Sequence, residues 1–151
     1  MARILVGVDT SPESVEALRR AVEEAKRRDA TLEVAYVFPP PEQVTAWPVL
    51  PEKGADKAPN LEKLRAEADE KLGQWLEESD VDLSGADVER NVIADRKTAS
   101  ALIERSKDAD LVVVGSRGRG GFAGLRLGSV SEQVTRHARC PVLVIRKSTK
   151  D

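Results

Sequence analysis

The stretch "ADLVVVGSRGRGGFAGLRLGS", residues 109–129, decides the fold because an apolar run leads directly into a glycine-rich segment and then into a helix start. The run 109–115 predicts a buried strand. The segment 115–129 holds six of the chain's ten glycines and three arginines. Its end, "SVSE", has the S-x-x-E spacing of a capping box, so Ser129 and Glu132 are expected to cap a helix reciprocally. Strand, loop and helix in this order predict a parallel α/β unit.

The same alternation of strand and helix patterns continues on both sides of this stretch. Three other short apolar runs predict strands covered by helices on both faces, and 86–95 alternates more and is expected at an edge. The predicted strands are 3–9, 31–38, 86–95, 109–115 and 140–146. Parallel strands joined by right-handed crossovers follow. The predicted fold class is α/β, a single open sheet of five parallel strands with helices on both faces, Rossmann-like.

The predicted helices carry apolar stripes. In 11–30, Ser11 is expected to cap and Pro12 to take the first helical position. Other helices are predicted after Asn60, over 98–107 and from Ser129. The residues expected to face the core are Val15, Leu18, Val22 and Ala25; Leu61, Leu64, Ala68, Leu72 and Trp75; Ala101, Leu102 and Ile103; Val130 and Val134.

Composition indicates one soluble globular domain. The chain has 151 residues, a net charge of −2 and 3% aromatic residues, which argues against nucleic acid as the main partner. No signal-peptide or membrane-span pattern is present, so a cytoplasmic protein is expected. Cys140 is expected to be a small buried residue, and His137 has too few neighbouring ligands for a metal site.

The glycine-rich segment has the chemistry of phosphate binding. Glycines let backbone amides approach an anion, and a helix start adds free amides and a positive dipole end. Residues 115–139 hold five arginines and one glutamate, a formal charge of +4. The alternative is a flexible surface turn with solubilising arginines. The P-loop pattern is absent, and the dinucleotide fingerprint at Gly118, Gly120 and Ala123 lacks a second mononucleotide half after it.

The glycine spacing gives a more specific match. Gly115, Gly118 and the pair Gly128–Ser129 fit G-x2-G-x9-G-[ST], between "DLVVVG" and "SVSEQVTRHARCPVLVIR". With "ILVGVDTSPESVEAL" and "LEVAYV", the whole chain resembles the nucleotide-binding branch of the universal stress protein family. The resemblance implies an adenine nucleotide alpha hydrolase-like fold and a single domain over 1–151. In the family that the chain resembles, the loop that corresponds to the proline-rich segment 39–59 differs widely in length.

The resemblance also implies a binding site for ATP, with ADP or AMP as alternatives and Mg²⁺ as an optional companion. Asp9 would contact the ribose and Val37 would offer backbone groups to the adenine. Val114, Gly115 and Gly118 would line the ribose and the α-phosphate, and the start of the last helix would receive the outer phosphates. The nucleotide-binding residues expected are Val8, Asp9, Val37, Val114, Gly115, Ser116, Arg117, Gly118, Gly128, Ser129 and Val130.

Two positions depart from the family pattern, and one role stays open. Tyr36 replaces a common histidine and Thr10 replaces a common glycine, which affects the wall of the adenine and ribose site. Asp9 is expected either to contact the nucleoside or to cap the helix that follows it, and the two roles are compatible.

Three functions compete. The first is a cytoplasmic ATP-binding regulator of the stress response that acts on an unknown protein partner. The second is an enzyme, a slow ATPase or a protein that phosphorylates itself on Ser129 or Ser131, although neither a general base nor a catalytic arginine can be assigned. The third is a homodimer built through strand 140–146, for which nucleotide is incidental.

Overall fold

The computed structural model describes residues 2–41, 60–116 and 127–146. They contain one sheet of five strands: β1 (Arg3–Val8), β2 (Thr31–Phe38), β3 (Asp87–Ala94), β4 (Leu111–Gly115) and β5 (Val142–Ile145). Every neighbouring pair is parallel, and the order is β3-β2-β1-β4-β5. The predicted α/β fold with five parallel strands is confirmed. The strand predicted to lie at an edge, β3, does so, and β5 forms the opposite edge.

Four helices in the described parts of the chain cover the sheet: α1 (Ser14–Arg28), α2 (Leu61–Glu78), α3 (Thr98–Ser106) and α4 (Ser129–His137). Helices α1 and α2 pack on one face, and α3 and α4 on the other. The predicted starts after Asn60 and at Ser129 are confirmed. Asn60 caps α2, because its side-chain oxygen accepts the amide of Glu62 at 2.9 Å. The helix layers on both faces are therefore as the sequence predicts.

Two cores lie above and below the sheet. Successive residues of a strand enter opposite cores, which is why the central strands are apolar on both faces. The core under α1 and α2 is built around Ile4, Val6, Leu18, Leu32, Val34 and Leu72, all fully buried. The core under α3 and α4 is built around Leu5, Ala35, Leu102, Val112 and Val134, none more than 1% exposed.

Six residues expected in the cores lie nearer to solvent, and three of them, Val15, Leu64 and Ile103, are half-buried beside the core that they contact. Leu61 is 41% exposed, because it is the first residue of α2 and precedes the turns that reach the sheet. Val130 and Cys140 are half-buried at the margin of the core under α3 and α4. Burial, together with the charge of Asp110, raises the pKa of the Cys140 thiol. The thiol is therefore kept in its protonated, poorly nucleophilic form.

Helix α3 crosses β1 at a very short distance. A Cβ atom placed on Gly7 would lie 2.6 Å from Cδ1 of Leu102, whose side chain is 1% exposed. A side chain at residue 7 would therefore require Leu102 to shift within the core. The close approach sets how tightly α3 lies on the centre of the sheet.

A buried carboxylate lies on the α3 side of β2. Glu33 is 2% exposed and accepts two hydrogen bonds of 2.8 Å from Arg105, one of 2.7 Å from Asn91 and one of 3.2 Å from Arg3. Burial raises the pKa of Glu33, but the bonds from Arg105 and Asn91 and the charges of Arg105 and Arg3 outweigh it, so the pKa is lowered overall. Glu33 is thus an ionised residue inside the fold.

In the stretches that the structure describes, no helix combines the length and the apolarity needed to cross a membrane.

Candidate functional site

The strand order creates a crevice between β1 and β4. The chain passes from β1 through α1 to β2 on one side, while β4 lies on the other side and leads through α4 to β5. Helices α1 and α4 pack on opposite faces of the sheet. The connections after these two neighbouring strands therefore diverge. In open α/β sheets, ligands bind at this topological switch point, outside the carboxyl ends of the strands.

The strand register brings the expected site residues to one level. Val6 pairs with Val113, so Val8 and Gly115, each two residues further on, end β1 and β4 side by side. Val8 also pairs with Tyr36 on β2, and Val37 is the next residue along that strand. Asp9 directly follows β1 in the same way. The carboxyl ends of β1, β2 and β4 thus meet at the crevice.

Asp9 is tightly bound by the turn between β1 and α1. Its Oδ1 accepts the amide of Ser11 at 3.0 Å and the hydroxyl of Ser14 at 2.6 Å, and it also accepts the hydroxyl of Ser11. The amide of Asp9 donates to Ser14 Oγ at 3.1 Å. The carboxylate is half-buried. Asp9 therefore bonds Ser11 in the turn and the side chain of Ser14, whereas the N-cap residue of α1 is Glu13.

The start of α1 differs from the sequence prediction. We expected Ser11 to cap the helix with its side chain and Pro12 to be the first helical residue, but α1 begins at Ser14. The hydroxyl and amide of Ser11 both donate to Asp9 instead. Pro12 lies in a turn in which the amide of Ser14 donates to the carbonyl of Ser11 at 3.2 Å. Because the carboxylate of Asp9 binds the hydroxyl and amide of Ser11, this serine does not cap the helix, and α1 begins three residues later.

Thr10 adopts a left-handed backbone conformation, with φ at 60°. This region costs a β-branched residue energy and suits glycine, the residue that the family resemblance leads us to expect here. The hydroxyl of Thr10 donates to the carbonyl of Asp9 at 2.6 Å. Trp75 of α2 donates its indole N–H to the carbonyl of Ser11 at 3.2 Å. The turn is therefore fixed both by its own side chains and by α2.

On the β4 side, Ser116 joins three segments. Its amide donates to the carbonyl of Ile145 at 2.8 Å, and its carbonyl accepts the amide of Gly128 at 2.6 Å. The hydroxyl of Ser131, 2% exposed, lies 3.0 Å from the carbonyl oxygens of both Ser116 and Gly128. The start of α4 is thus attached to the end of β4. The amide of Gly128 is engaged in this junction.

The predicted capping box at the start of α4 is wrong. The N-cap residue is Gly128, with no side-chain cap, and Ser129 is the first helical residue. The amide of Glu132 donates to the carbonyl of Gly128 at 3.0 Å, as in any helix interior, and its carboxylate pairs with Arg136 at 3.0 Å. The box fails because the helix begins one residue earlier than the serine would require. The first amides of α4, from Ser129 to Ser131, have no acceptor within the helix.

The expected site residues divide into backbone contributors and accessible ones. The side chains of Val8 and Val114 are buried in opposite cores, so only their backbones can face a ligand. Ser116 is 9% exposed, Gly115 is half-buried and Ser129 is exposed. Arg117, Gly118 and most of the loop 39–59, from residue 42 onwards, lie outside the described residues. The described part brings Asp9, Val37, Gly115 and the start of α4 to one edge.

Sequence reasoning missed Ser14 and Trp75, and it misread Ser131. Ser14 completes the pattern Asp-x-Ser-x-x-Ser at 9–14, a spacing that favours local side-chain to backbone bonds after a strand. Trp75 was expected only to face the core. Ser131, considered above as a phosphorylation site, is buried with its hydroxyl engaged, whereas Ser129 is exposed. Chemically, the edge offers a carboxylate that accepts from hydroxyls and a helix start that attracts anions.

Comparisons with known proteins agree on one family. The sequence profile of the universal stress protein family matches residues 1–146. Universal stress protein Rv2623 of Mycobacterium tuberculosis (strain ATCC 25618 / H37Rv) is 39% identical over 147 residues, which is 97% of this chain and 46% of that protein. Universal stress protein MJ0531 of Methanocaldococcus jannaschii is 31% identical over 153 residues, 99% of this chain and 84% of that protein.

A solved structure adds to these relatives. The crystal structure of a universal stress protein in complex with cAMP is 27% identical, superposes with a TM-score of 0.67, and covers 97% of this chain and 98% of its own. The chain spans slightly under half the length of its mycobacterial relative, 46%. A profile match over nearly the whole chain and a 31% identical relative of similar length carry the same conclusion. The chain belongs to the universal stress protein family.

Proposed function

We propose that the chain binds an adenine nucleotide, ATP in the first place, in the crevice between the ends of β1 and β4, and that it acts as a nucleotide-dependent regulator in the stress response. The observation that carries this proposal is the register of β1 and β4, which ends the two strands side by side, so that Asp9 follows one strand and Ser116, which bonds Gly128 before α4, follows the other. The complex of a related protein with cAMP supports it. ADP and AMP offer the same adenosine and are the alternatives.

Each part of the nucleotide has a matching group in the described residues. The ribose hydroxyls donate to the carboxylate of Asp9, and the backbone of Val37 bonds the adenine. The phosphates take up the first amides of α4, those of Ser129 and Val130, at the positive end of the helix dipole. Gly128, which is predicted to contact the outer phosphates, has an amide that already bonds Ser116. It anchors the helix start rather than donating to phosphate.

Mg²⁺, where it accompanies ATP, is held mainly by the phosphates in this proposal. Within the stretches that the structure describes, no three Asp, Glu, His or Cys side chains gather into a metal site. Free phosphate oxygens are the usual magnesium ligands in nucleotide sites that offer few protein carboxylates. We therefore expect Mg²⁺ to bind mainly through the phosphate oxygens of the nucleotide and less through protein side chains.

The regulatory part of the proposal rests on association. The protein acts in the cytoplasm on a protein partner, and two copies pair through the exposed edge of β5, the strand predicted over 140–146. In the sheet β5 pairs with β4 alone among the described strands, and all four of its residues are half-buried. An apolar sheet edge of this kind invites pairing with another strand. The affinity for the protein partner would then depend on whether the nucleotide site is occupied.

Calorimetry with ATP tests the binding proposal. Asp9→Asn keeps the size of the side chain but removes the charge, and we expect affinity to fall about 10- to 150-fold, the usual contribution of a hydrogen bond to a charged group. Asp82→Asn is the matched control, because Asp82 accepts the amide and hydroxyl of Ser84 in the same kind of turn, before β3. Equal ATP affinity of wild type and Asp9→Asn would contradict the proposal.

A further inference from the structure

The turn after β1 fixes both the main chain and the side chain of Asp9. Its amide donates to Ser14 Oγ at 3.1 Å and its carbonyl accepts from Thr10 Oγ1 at 2.6 Å. Its Oδ1 accepts the Ser14 hydroxyl at 2.6 Å and the amide of Ser11 at 3.0 Å. The Ser11 hydroxyl also donates to Oδ1. Three donors therefore converge on Oδ1, two from Ser11 in the turn and one from Ser14 on α1, and together they fix the carboxylate plane.

Ser14 has a special place among these partners. Its single hydroxyl accepts from the backbone of Asp9 and donates to the carboxylate of the same residue, which closes a small ring. Ser14 is 8% exposed and is the first residue of α1, whose next buried residues, Ala17 and Leu18, are fully enclosed in the core. The hydroxyl is therefore a fixed point, attached to a helix that cannot move without disturbing the core.

We propose that Ser14 is a positioning residue for nucleotide binding and that it acts through Asp9. Ser14 fixes the orientation of the Asp9 carboxylate before the ligand arrives, so that no side-chain freedom is lost when the sugar hydroxyls bind. This inference rests on the proposed contact between Asp9 and the ribose. It assigns to Ser14 a share of the affinity that depends on the sugar hydroxyls and on nothing else in the nucleotide.

The structure also says why Ser11 alone cannot replace Ser14. The bonds that Ser11 donates to Asp9, from its amide and its hydroxyl, both go to the carboxylate, whereas Ser14 bonds the backbone amide of Asp9 as well. Without the Ser14 hydroxyl, the amide of Asp9 loses its acceptor and the carboxylate loses the donor that comes from the rigid helix. Of the contacts to the carboxylate named above, those that remain are the two from Ser11 in the neighbouring turn. The carboxylate is then oriented less precisely, because the donor on α1 is lost.

The test compares ATP with 2′,3′-dideoxy-ATP, which lacks both sugar hydroxyls, by calorimetry. The quantity of interest is the dissociation constant for 2′,3′-dideoxy-ATP divided by that for ATP. A loss of folded protein affects both measurements equally and leaves this ratio unchanged. We expect Ser14→Ala to lower this ratio about tenfold, equivalent to about 1.4 kcal/mol. Asp9→Ala should bring the ratio near one, and adding Ser14→Ala to it should change nothing more. Ser11→Ala, a second variant, should lower the ratio less.

Ser84→Ala is the control, since Ser84 donates its amide and its hydroxyl to the carboxylate of Asp82, as Ser11 does to Asp9, in a turn before β3. It should keep the wild-type ratio. If the wild type fails to distinguish the two nucleotides, the contact of Asp9 with the ribose is wrong and the inference is lost with it. If the wild type distinguishes them but Ser14→Ala keeps the full ratio, or weakens both nucleotides in parallel, the proposed function stands and the role of Ser14 is overturned.

Discussion

Arg105 of α3 donates two hydrogen bonds of 2.8 Å to the carboxylate of Glu33 on β2, and Glu33 is 2% exposed while the Arg105 side chain is 33% exposed. One charge of the pair is thus inside the fold and the other at its surface. Asn91 and Arg3 each donate one further hydrogen bond to the carboxylate oxygens of Glu33. The arrangement connects α3 to the sheet through an ionised group, so its strength depends on pH.

Glu33→Gln should destabilise the protein by about 1–3 kcal/mol at pH 7, because the buried site keeps its arginines but loses the charge that they bond. The pKa of Glu33 is lowered, so the stability that its ionised form adds is complete above the ordinary glutamate value of about 4.3 and is lost as pH falls through the folded-state value. Urea unfolding at pH 7 and at pH 3 measures this difference.

The difference between wild type and Glu33→Gln should therefore shrink at the lower pH. Glu89→Gln is the control, because Glu89 bonds the same Arg3 but is 53% exposed, and its loss should cost less than about 1 kcal/mol. An equal cost for both variants at pH 7 would show that burial does not give the Glu33 contacts their strength.

Gly7→Ala should destabilise the protein by about 1–3 kcal/mol, because the new methyl group would lie 2.6 Å from Cδ1 of the buried Leu102. Thermal unfolding followed by circular dichroism measures the cost. Combining Gly7→Ala with Leu102→Ala should cost less than the sum of the two single changes, since the second change removes the obstructing atoms. Additive effects would mean that the two residues do not compete for space.

Gly73→Ala should have the opposite sign and stabilise the protein by about 0.5–1 kcal/mol. Gly73 lies inside α2, where alanine is the better helix former by about 1 kcal/mol. The atom nearest to the new methyl group is the tip of Arg90, whose side chain is 43% exposed and pairs with Asp69 at 3.1 Å, an exposed ion pair that costs little to rearrange. Denaturant midpoints of the two glycine variants, measured side by side, check the contrast. A destabilised Gly73→Ala protein would show that Arg90 is held more firmly than its exposure indicates.

Val144→Lys should convert a dimer into monomers if β5 pairs with a second copy, because a lysine on a sheet edge opposes strand pairing. Light scattering over a range of concentrations measures the mass. Gln133→Lys, on the exposed surface of α4, adds the same charge away from the edge and should leave the mass unchanged. A dimeric Val144→Lys protein would exclude this interface.

The sequence is sufficient for the framework because the framework depends on periodic patterns. Apolar runs predict all five strands to within two residues at either end, and "TLEVAYVF" predicts β2 without error. Asn60 signals the start of α2 by the same local chemistry that it uses in the structure. Where a pattern repeats over many residues, one ambiguous position does not change the result.

The turns were predicted less well because single side chains decide them. Serine is a residue type that often caps helices, but the hydroxyl and amide of Ser11 bond the carboxylate of Asp9, two residues earlier, instead of the helix. Ser129 and Glu132 have the spacing of a capping box, yet the bond between Gly128 and Ser116 sets the helix start one residue earlier. The position of Glu33 depends on Arg105, 72 residues later in the chain, and no local pattern reports such a contact.

The hydrogen bond from the Trp75 indole to the carbonyl of Ser11 gives the protein an internal optical reporter. Ser11 also bonds Asp9, so a single residue separates the chromophore from the carboxylate of the crevice. The chain has one other tryptophan, Trp47. With Trp47→Phe, indole emission comes from Trp75 alone, and a spectral change on titration would follow events at the β1 turn in real time without an attached dye.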